Sequence, residues 1–135
     1  IEHQDVISAP GHMTVQEAAR LMKEHRVGAL MIVEDGKLAG IFTERDVLFR
    51  VVADDRDART TRLADVMTRN PQTIHPDRSF PDALHLMYDG GFRHVPVVED
   101  GRPVGVISAR DALGPELEDF IYEVLRREQS NDILA

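Results

Sequence analysis

A heptapeptide that occurs twice decides the fold of this chain: Gly-Ile-Phe-Thr-Glu-Arg-Asp at residues 40–46 and Gly-Val-Ile-Ser-Ala-Arg-Asp at residues 105–111. The two copies are 65 residues apart, and the same shift aligns residues 14–48 with residues 79–113 without an insertion. Eleven of these 35 positions are identical, whereas chance agreement at ordinary composition would give about two. The chain is therefore a duplicated unit of about 60 residues, and two units this small should pack together to share a core.

Each copy carries the same series of secondary-structure signals. A hydroxyl residue followed three residues later by an acid, at Thr14 and again at Ser79, predicts the start of an amphipathic helix. Two short apolar runs joined by Glu-Asp-Gly then predict a β-hairpin in which the glycine takes a positive φ. The predicted order in each copy is strand, helix, strand, strand, helix, which is an α+β fold. The hairpin strands are predicted at residues 29–33, 38–42, 95–98 and 104–107, and the second helices near residues 44 and 109.

The segments outside the repeat are a connection and a tail. Residues 54–61 form a polar loop, and residues 63–67 predict one or two helical turns that end at Asn70-Pro71. Residues 115–129 predict an amphipathic helix with an apolar stripe between residues 117 and 125. We therefore expect a first domain over residues 1–60, a second over residues 61–128 that includes the C-terminal helix, and a short tail over residues 129–135.

The composition excludes several classes of function. Of 135 residues, 42% are apolar and 30% are charged, which is the balance of a soluble globular protein. The absence of cysteine removes thiol catalysis, Cys-rich zinc sites and disulfides, and the six histidines show no close metal-ligand spacing. A net charge of −8 argues against nucleic-acid binding. No apolar run approaches the roughly 18 residues of a membrane span, so we expect a cytoplasmic protein that binds neither nucleic acid nor membrane.

The repeat resembles the CBS domain, and the whole chain resembles a stand-alone tandem pair of such domains, called a Bateman module. Besides the two heptapeptides, the resemblance is carried by Phe-Arg-His-Val-Pro-Val-Val-Glu-Asp-Gly at residues 92–101 and Asp-Val-Met-Thr-Arg-Asn-Pro at residues 65–71, and it covers residues 6–113. It implies two units related by a pseudo-twofold axis and packed through their sheets, with two clefts between them. In this family the clefts commonly bind adenosine-containing ligands, and the modules commonly dimerise.

The hydroxyl and the acid of each heptapeptide, Thr43 with Asp46 and Ser108 with Asp111, allow two interpretations. A hydroxyl followed three residues later by an acid is a helix-capping pattern. Alternatively, the carboxylate faces a cleft, where it suits the vicinal 2′- and 3′-hydroxyls of a ribose. Unpaired N–H groups at the helix start would then favour a phosphate. Both interpretations stay open on the residues alone.

The resemblance implies further ligand contacts. Segments 7–9 and 73–75 would line the base pocket, and Arg93 with His94 would contact phosphate. The first copy has Gly28 and Ala29 at the equivalent positions, so we expect the second copy to be the tighter site for a phosphorylated ligand. The candidate ligand-binding residues are Ser8, Ala9, Thr43, Asp46, Thr73, Ile74, His75, Arg93, His94, Pro96, Ser108, Arg110 and Asp111.

These observations predict a non-catalytic sensor in signal transduction that binds AMP, ADP or ATP, with NAD(H) and S-adenosylmethionine as further adenosine ligands. No obligatory cofactor and no metal is expected, because no motif assembles a nucleophile, a base and oxyanion donors, or a metal-ligand set. One alternative is a dimerisation or protein-interaction module whose clefts stay vacant. Another is a regulatory fragment of a larger enzyme. The apolar stripe of residues 117–125 needs a surface to cover it, which predicts a homodimer, although the stripe could instead fold back on its own module. A regulated protein partner is compatible with either function.

Overall fold

The computed structural model describes residues 5–109 together with residues 123, 126 and 127. The first unit follows the predicted order throughout and the second follows it as far as the second strand of its hairpin, since its second helix lies outside the described residues except for Ala109; the α+β class is confirmed. The first unit's strand–helix–strand–strand–helix series is complete, and in the second unit Ile74 forms a parallel bridge with Val97 in place of the first strand. The elements are β1 (Ser8–Ala9), α1 (Val15–His25), β2 (Ala29–Glu34), β3 (Lys37–Thr43), α2 (Glu44–Asp46), which continues as a π-helix (Val47–Val52), α3 (Leu63–Val66), β4 (Thr68–Arg69), α4 (Phe80–Gly90), β5 (His94–Glu99) and β6 (Arg102–Ser108).

The first helix of each unit begins at a capping box, as predicted. The Glu17 N–H donates to Thr14 Oγ1 at 3.2 Å, and the Asp82 N–H donates to Ser79 Oγ at 3.3 Å. In both helices the acid accepts a hydrogen bond in return from the backbone N–H of the cap residue. Two backbone donors at each helix start are thereby satisfied, which explains why the same spacing recurs in both units.

The two hairpins have the same geometry. In the first turn Asp35 and Gly36 have φ values of 53° and 77°, and in the second Asp100 and Gly101 have 53° and 78°. Two successive positive φ values define a type I′ turn, whose twist matches that of the flanking strands. The aspartate therefore takes a left-handed conformation as well as the predicted glycine, because Asp tolerates this region better than most residues.

The strands form two sheets that pack together. The first sheet has the order β1-β2-β3-β4, with β1 parallel to β2 and the other pairs antiparallel. The second sheet pairs β5 with β6 in an antiparallel hairpin. Each unit has its own apolar core. A third cluster joins the units, because Ala29, Met31 and Ile41 of the first sheet are buried together with Val106 of the second.

The connection between the units packs on the first unit. Leu63, Val66 and Met67 are buried in its core, and β4 extends its sheet by pairing with β3. A methyl group added at Gly40 of β3 would lie 2.7 Å from Met67 Sδ and 2.8 Å from the Thr68 carbonyl oxygen. Gly40 therefore allows β4 to approach β3 closely, and the chain crosses to the second unit after residue 69.

The sequence predicted a C-terminal amphipathic helix and no membrane-spanning segment. The helix predicted over residues 115–129 lies outside the described residues, except for Glu123, Arg126 and Arg127, which are helical and exposed. Among the described residues, no helix has the length and apolar character needed to cross a membrane.

We predict that Gly40→Ala lowers the free energy of unfolding by about 1–3 kcal/mol. The added methyl group meets a backbone carbonyl, which cannot rotate away as a side chain could, so β4 must move. Urea denaturation monitored by circular dichroism measures the loss. Lys37→Ala, at an exposed position of the same strand, is the control and should change stability by less than about 0.5 kcal/mol. Equal stability of the two variants would show that β4 adjusts to the methyl group without cost.

Candidate functional site

A cleft of about 890 Å³ lies between the two units. It is bounded by the end of β3 and the helix that follows it, by the segment at and after β4, and by the loop between α4 and β5. The first two belong to the packed first unit, whereas the loop belongs to the second. The lining residues are Ile41, Thr43, Glu44, Arg45, Asp46, Leu48, Phe49, Arg50, Thr68, Asn70, Pro71, Gln72, Gly90, Gly91, Phe92, Arg93 and His94.

Asp46 is the most buried charged group of this cleft, with 11% of its side chain exposed. Its Oδ2 accepts hydrogen bonds from the Thr43 N–H at 2.9 Å and from the Thr43 hydroxyl at 3.2 Å. Its Oδ1 lies 3.4 Å from Arg50 Nε. One carboxylate oxygen is therefore occupied within the capping box, while the other faces a single arginine and retains a lone pair for a further donor.

Thr43 and Asp46 form a capping box at the start of α2, as the capping interpretation predicts. The Asp46 N–H donates to Thr43 Oγ1 at 3.3 Å, and the Glu44 N–H donates to the Gly28 carbonyl at 3.0 Å. The expectation that unpaired N–H groups at this helix start would receive a phosphate is therefore wrong for these two groups, because the Thr43 hydroxyl and the carbonyl of Gly28, directly before β2, satisfy them. Capping and ligand contact remain compatible, since they use different oxygens of Asp46.

Cations outnumber acids along the cleft. Three arginines and His94 face Glu44 and Asp46. Arg45 lies over the Phe49 ring, 5.4 Å from its centroid, and donates to the Gly91 carbonyl at 3.5 Å, so it links the helix to the loop of the second unit. In a chain with a net charge of −8, this local excess of positive charge makes the cleft suited to an anion.

Arg93 and His94 lie in the cleft that holds Thr43 and Asp46. They therefore share a cleft with the acid of the first copy, whereas Asp111, the acid of the second copy, lies outside the described residues; that the second copy is the tighter phosphate site stays a prediction. The shared cleft results from the packing of the two units, which brings the loop before β5 against the end of β3. Gly28 lies at this junction, since a methyl group there would be 3.1 Å from Glu44 Oε1 and 3.4 Å from His94 Nε2.

The predicted base-pocket residues lie outside this cleft. Ser8 and Ala9 pair with Met31 and Ile32 in the parallel ladder of β1 and β2, so their backbone is engaged within the sheet. Thr73 and His75 are exposed, and His75 Nδ1 is 3.4 Å from Asp77 Oδ2. Ile74 and Pro96 are buried in the second unit.

The second heptapeptide is described only in part. Ser108 ends β6, opposite His94 in the hairpin. Arg110 and Asp111 lie outside the described residues.

The segment of residues 68–72 belongs to the cleft although its sequence carries no signal for a binding site. Thr68, Asn70, Pro71 and Gln72 line the cleft, directly before the segment expected to contact the base. Asn70-Pro71 was interpreted only as the end of a helical segment. Asn70 in fact has a positive φ of 48°, which turns the chain from β4 toward the second unit. Among the described residues, no group of three His, Cys, Asp or Glu side chains is arranged to hold a metal ion.

Comparison with known proteins identifies the repeat. The family model of the CBS domain matches residues 1–53 and 63–115. The chain belongs to the CBS-domain family. Its two CBS domains are arranged in tandem, as in a regulatory module. Over 118 residues it is 35% identical to the mitochondrial CBS domain-containing protein CBSX3 of Arabidopsis thaliana, covering 84% of this chain and 57% of that protein.

Solved structures of CBS-domain proteins have the same fold. A CBS-domain protein from Burkholderia ambifaria MC40-6 superposes with a TM-score of 0.77 at 33% identity, over 82% of this chain and 81% of that one. The CBS domain protein PAE2072 from Pyrobaculum aerophilum, solved in complex with AMP, superposes with a TM-score of 0.74 at 28% identity, over 82% of this chain and 85% of that one. The expected tandem CBS fold is thereby confirmed.

We predict that Thr43→Ala lowers the free energy of unfolding by about 1–2 kcal/mol and Ser79→Ala by about 0.5–1 kcal/mol. Both variants lose a capping hydroxyl, so Ser79 is the matched control. Only at Thr43 does the hydroxyl also donate to a carboxylate that is largely buried. Thermal and urea unfolding measure the difference. A smaller loss at Thr43 than at Ser79 would contradict the importance of the bond to Asp46.

Proposed function

We propose that this tandem CBS module is a non-catalytic sensor that binds an adenosine nucleotide such as AMP, ADP or ATP in the cleft around Asp46. The observation that carries the proposal is the convergence of two complementary features in one cleft. Asp46 offers a largely buried carboxylate, and Arg93 with His94 brings cationic or protonatable side chains from the other unit. A ribose phosphate presents both matching groups, namely vicinal hydroxyl donors and an anion.

The ribose contact rests on the acceptor geometry of Asp46. Thr43 occupies Oδ2 twice, which fixes the orientation of the carboxylate before any ligand arrives. Oδ1 then presents its remaining acceptor capacity toward the cleft. A hydroxyl donating to a carboxylate forms one of the stronger hydrogen bonds available in proteins. The fixed orientation also reduces the conformational entropy lost on binding.

The phosphate contact rests on the charge of the opposite wall. Arg93 is exposed at the start of the second unit's hairpin, and its guanidinium can bind a phosphate through two parallel N–H donors. Salt screens exposed charges over about 8 Å, so only cations within the cleft offset the acidic surface of the rest of the molecule. The AMP complex of PAE2072 supports an adenosine nucleotide as the ligand.

The proposal is tested by a thermal-shift panel of AMP, ADP, ATP, NAD(H) and S-adenosylmethionine, followed by calorimetry with AMP and adenosine. A ligand at about 100 times its Kd should add about 2.7 kcal/mol to the stability, which raises Tm by several degrees. Arg93→Ala should weaken AMP binding about tenfold and adenosine binding by less than twofold, because only AMP carries the phosphate.

The matched control for Arg93→Ala is Arg102→Ala, an exposed arginine at the start of β6 that does not line the cleft. It should leave both affinities unchanged. Equal losses for AMP and adenosine in Arg93→Ala would make Arg93 a structural residue. If no nucleotide of the panel raises Tm, the nucleotide proposal is wrong, and the module acts through contacts with another protein.

An exposed apolar surface on the helix that follows Thr43 favours self-association as a second property. Leu48, Phe49 and Val52 are 55%, 56% and 64% exposed. Clustered apolar side chains of this size are typical of protein interfaces. We propose that a second copy of the chain covers them and that the module is a homodimer, as the apolar stripe predicted over residues 117–125 also favours.

Light scattering should therefore give twice the 15.2 kDa mass of the chain. Val52→Glu should shift the protein to the monomer at micromolar concentration, since burying an unpaired carboxylate opposes association. Val52 does not line the cleft, so the variant leaves the ligand site intact. Thr60→Glu adds the same charge at an exposed loop position and should stay dimeric. A monomeric parent protein, or a dimeric Val52→Glu variant, would contradict this assignment.

A further inference from the structure

Arg50 joins the acid of the cleft to the connection between the two units. Its Nε lies 3.4 Å from Asp46 Oδ1. Its Nη1 donates to the carbonyl of Val66 at 3.3 Å and to that of Met67 at 3.0 Å. These carbonyls belong to the C-terminal end of α3, where no further helical turn follows to supply donors. One guanidinium therefore contacts two elements that are separated in the sequence.

The path of the helix favours this contact. Val47–Val52 is π-helical, and a π-helical turn contains more residues than an α-helical turn. Side chains four residues apart consequently lie more nearly in line along the helix axis than they would in an α-helix. Arg50 is thereby brought toward Asp46 on the side of the helix that faces α3. π-Helical turns of this kind are frequent at functional sites.

The arrangement belongs to one copy of the repeat only. Position 50 corresponds to position 115 under the 65-residue shift, and that residue is proline. Proline carries no side-chain donor, so the residue at position 115 cannot make the equivalent bonds. The two heptapeptides share their hydroxyl, arginine and acid, yet only the first is followed by an arginine at this position.

We propose that Arg50 is a positioning residue that couples ligand binding at Asp46 to the connection between the units. Met67 leads directly into Thr68, Asn70, Pro71 and Gln72, which line the same cleft. A donor that approaches Asp46 Oδ1 competes with the ion pair between Asp46 and Arg50, and Arg50 in turn holds the backbone of this wall. The position of residues 63–70 therefore depends on the state of the Asp46 carboxylate. The ligand half of this inference rests on the proposed function.

The coupling is tested without a ligand by hydrogen exchange of backbone amides in residues 63–70. Arg50→Gln should speed exchange there about tenfold, because α3 loses two hydrogen bonds at its end. Asp46→Asn should have a similar effect in the parent protein, since the amide group places a donor opposite Arg50 Nε. In the Arg50→Gln background, Asp46→Asn should add less than twofold. Exchange in residues 80–99 should stay unchanged in all variants.

Arg69→Gln is the matched control. The Arg69 Nη2 donates to the Ala64 carbonyl at 3.1 Å, so it also binds the backbone of α3, but Arg69 does not line the cleft. Asp46→Asn should still speed exchange in the Arg69→Gln background. Fully additive effects of Asp46→Asn and Arg50→Gln would overturn the coupling, as would unchanged exchange in Asp46→Asn, whether or not the protein binds a nucleotide.

The ligand arm compares AMP with 2′-deoxy-AMP by calorimetry. The parent protein should prefer AMP about tenfold, and this preference should fall to about twofold in Arg50→Gln while remaining in Arg69→Gln. Arg50→Lys keeps the positive charge but cannot reach Asp46 and both carbonyls at once. It should therefore recover any affinity for AMP that Arg50→Gln loses with the charge, but it should not recover the preference for AMP over 2′-deoxy-AMP. An unchanged preference in Arg50→Gln would overturn the positioning role. If neither nucleotide binds the parent protein, the proposed function fails, and the exchange experiment alone decides the role of Arg50.

Discussion

The apolar layer between the two sheets is the contact on which the rest of the structure depends. Ala29, Met31 and Ile41 are buried with Val106 only because the units face each other. Side chains of this size each contribute on the order of 1–3 kcal/mol when they are removed from water. The same contact places the end of β3 opposite the loop before β5. The cleft is therefore a consequence of the apolar packing that joins the two units.

Much of the fold could be predicted from the sequence, because its determinants are local. The capping boxes at Thr14 and Ser79 and the Asp-Gly turns of both hairpins depend on residues at most four positions apart. The duplication doubled each of these signals. The Thr43 hydroxyl and the Asp46 acid were identified for the same reason, since they belong to one short motif.

The composition of the cleft could be predicted only in part, because it depends on packing between the units. Arg93 carries no local signal that places it in the cleft of Asp46, because the two residues belong to different copies of the repeat. The contribution of Thr68 and Gln72 follows from the path of the connection over the first unit, which no periodicity of the sequence records. The spacing of Asp46 and Arg50 is that of a helical ion pair, but the bonds of Arg50 to the carbonyls of Val66 and Met67 depend on tertiary packing that no local pattern records.

The position of Arg93 also bears on how a duplicated chain diverges. The pocket takes Asp46 from one repeat and Arg93 from the other, so a mutation in the second repeat alters the chemistry of the cleft that holds the first repeat's acid. Selection on ligand preference then acts on pairs of positions across the duplication, such as 46 with 93. In an alignment of descendants, such pairs should covary more strongly than neighbours within a repeat. The two halves of the chain therefore specialise one pocket jointly, although each half carries its own copy of the repeat.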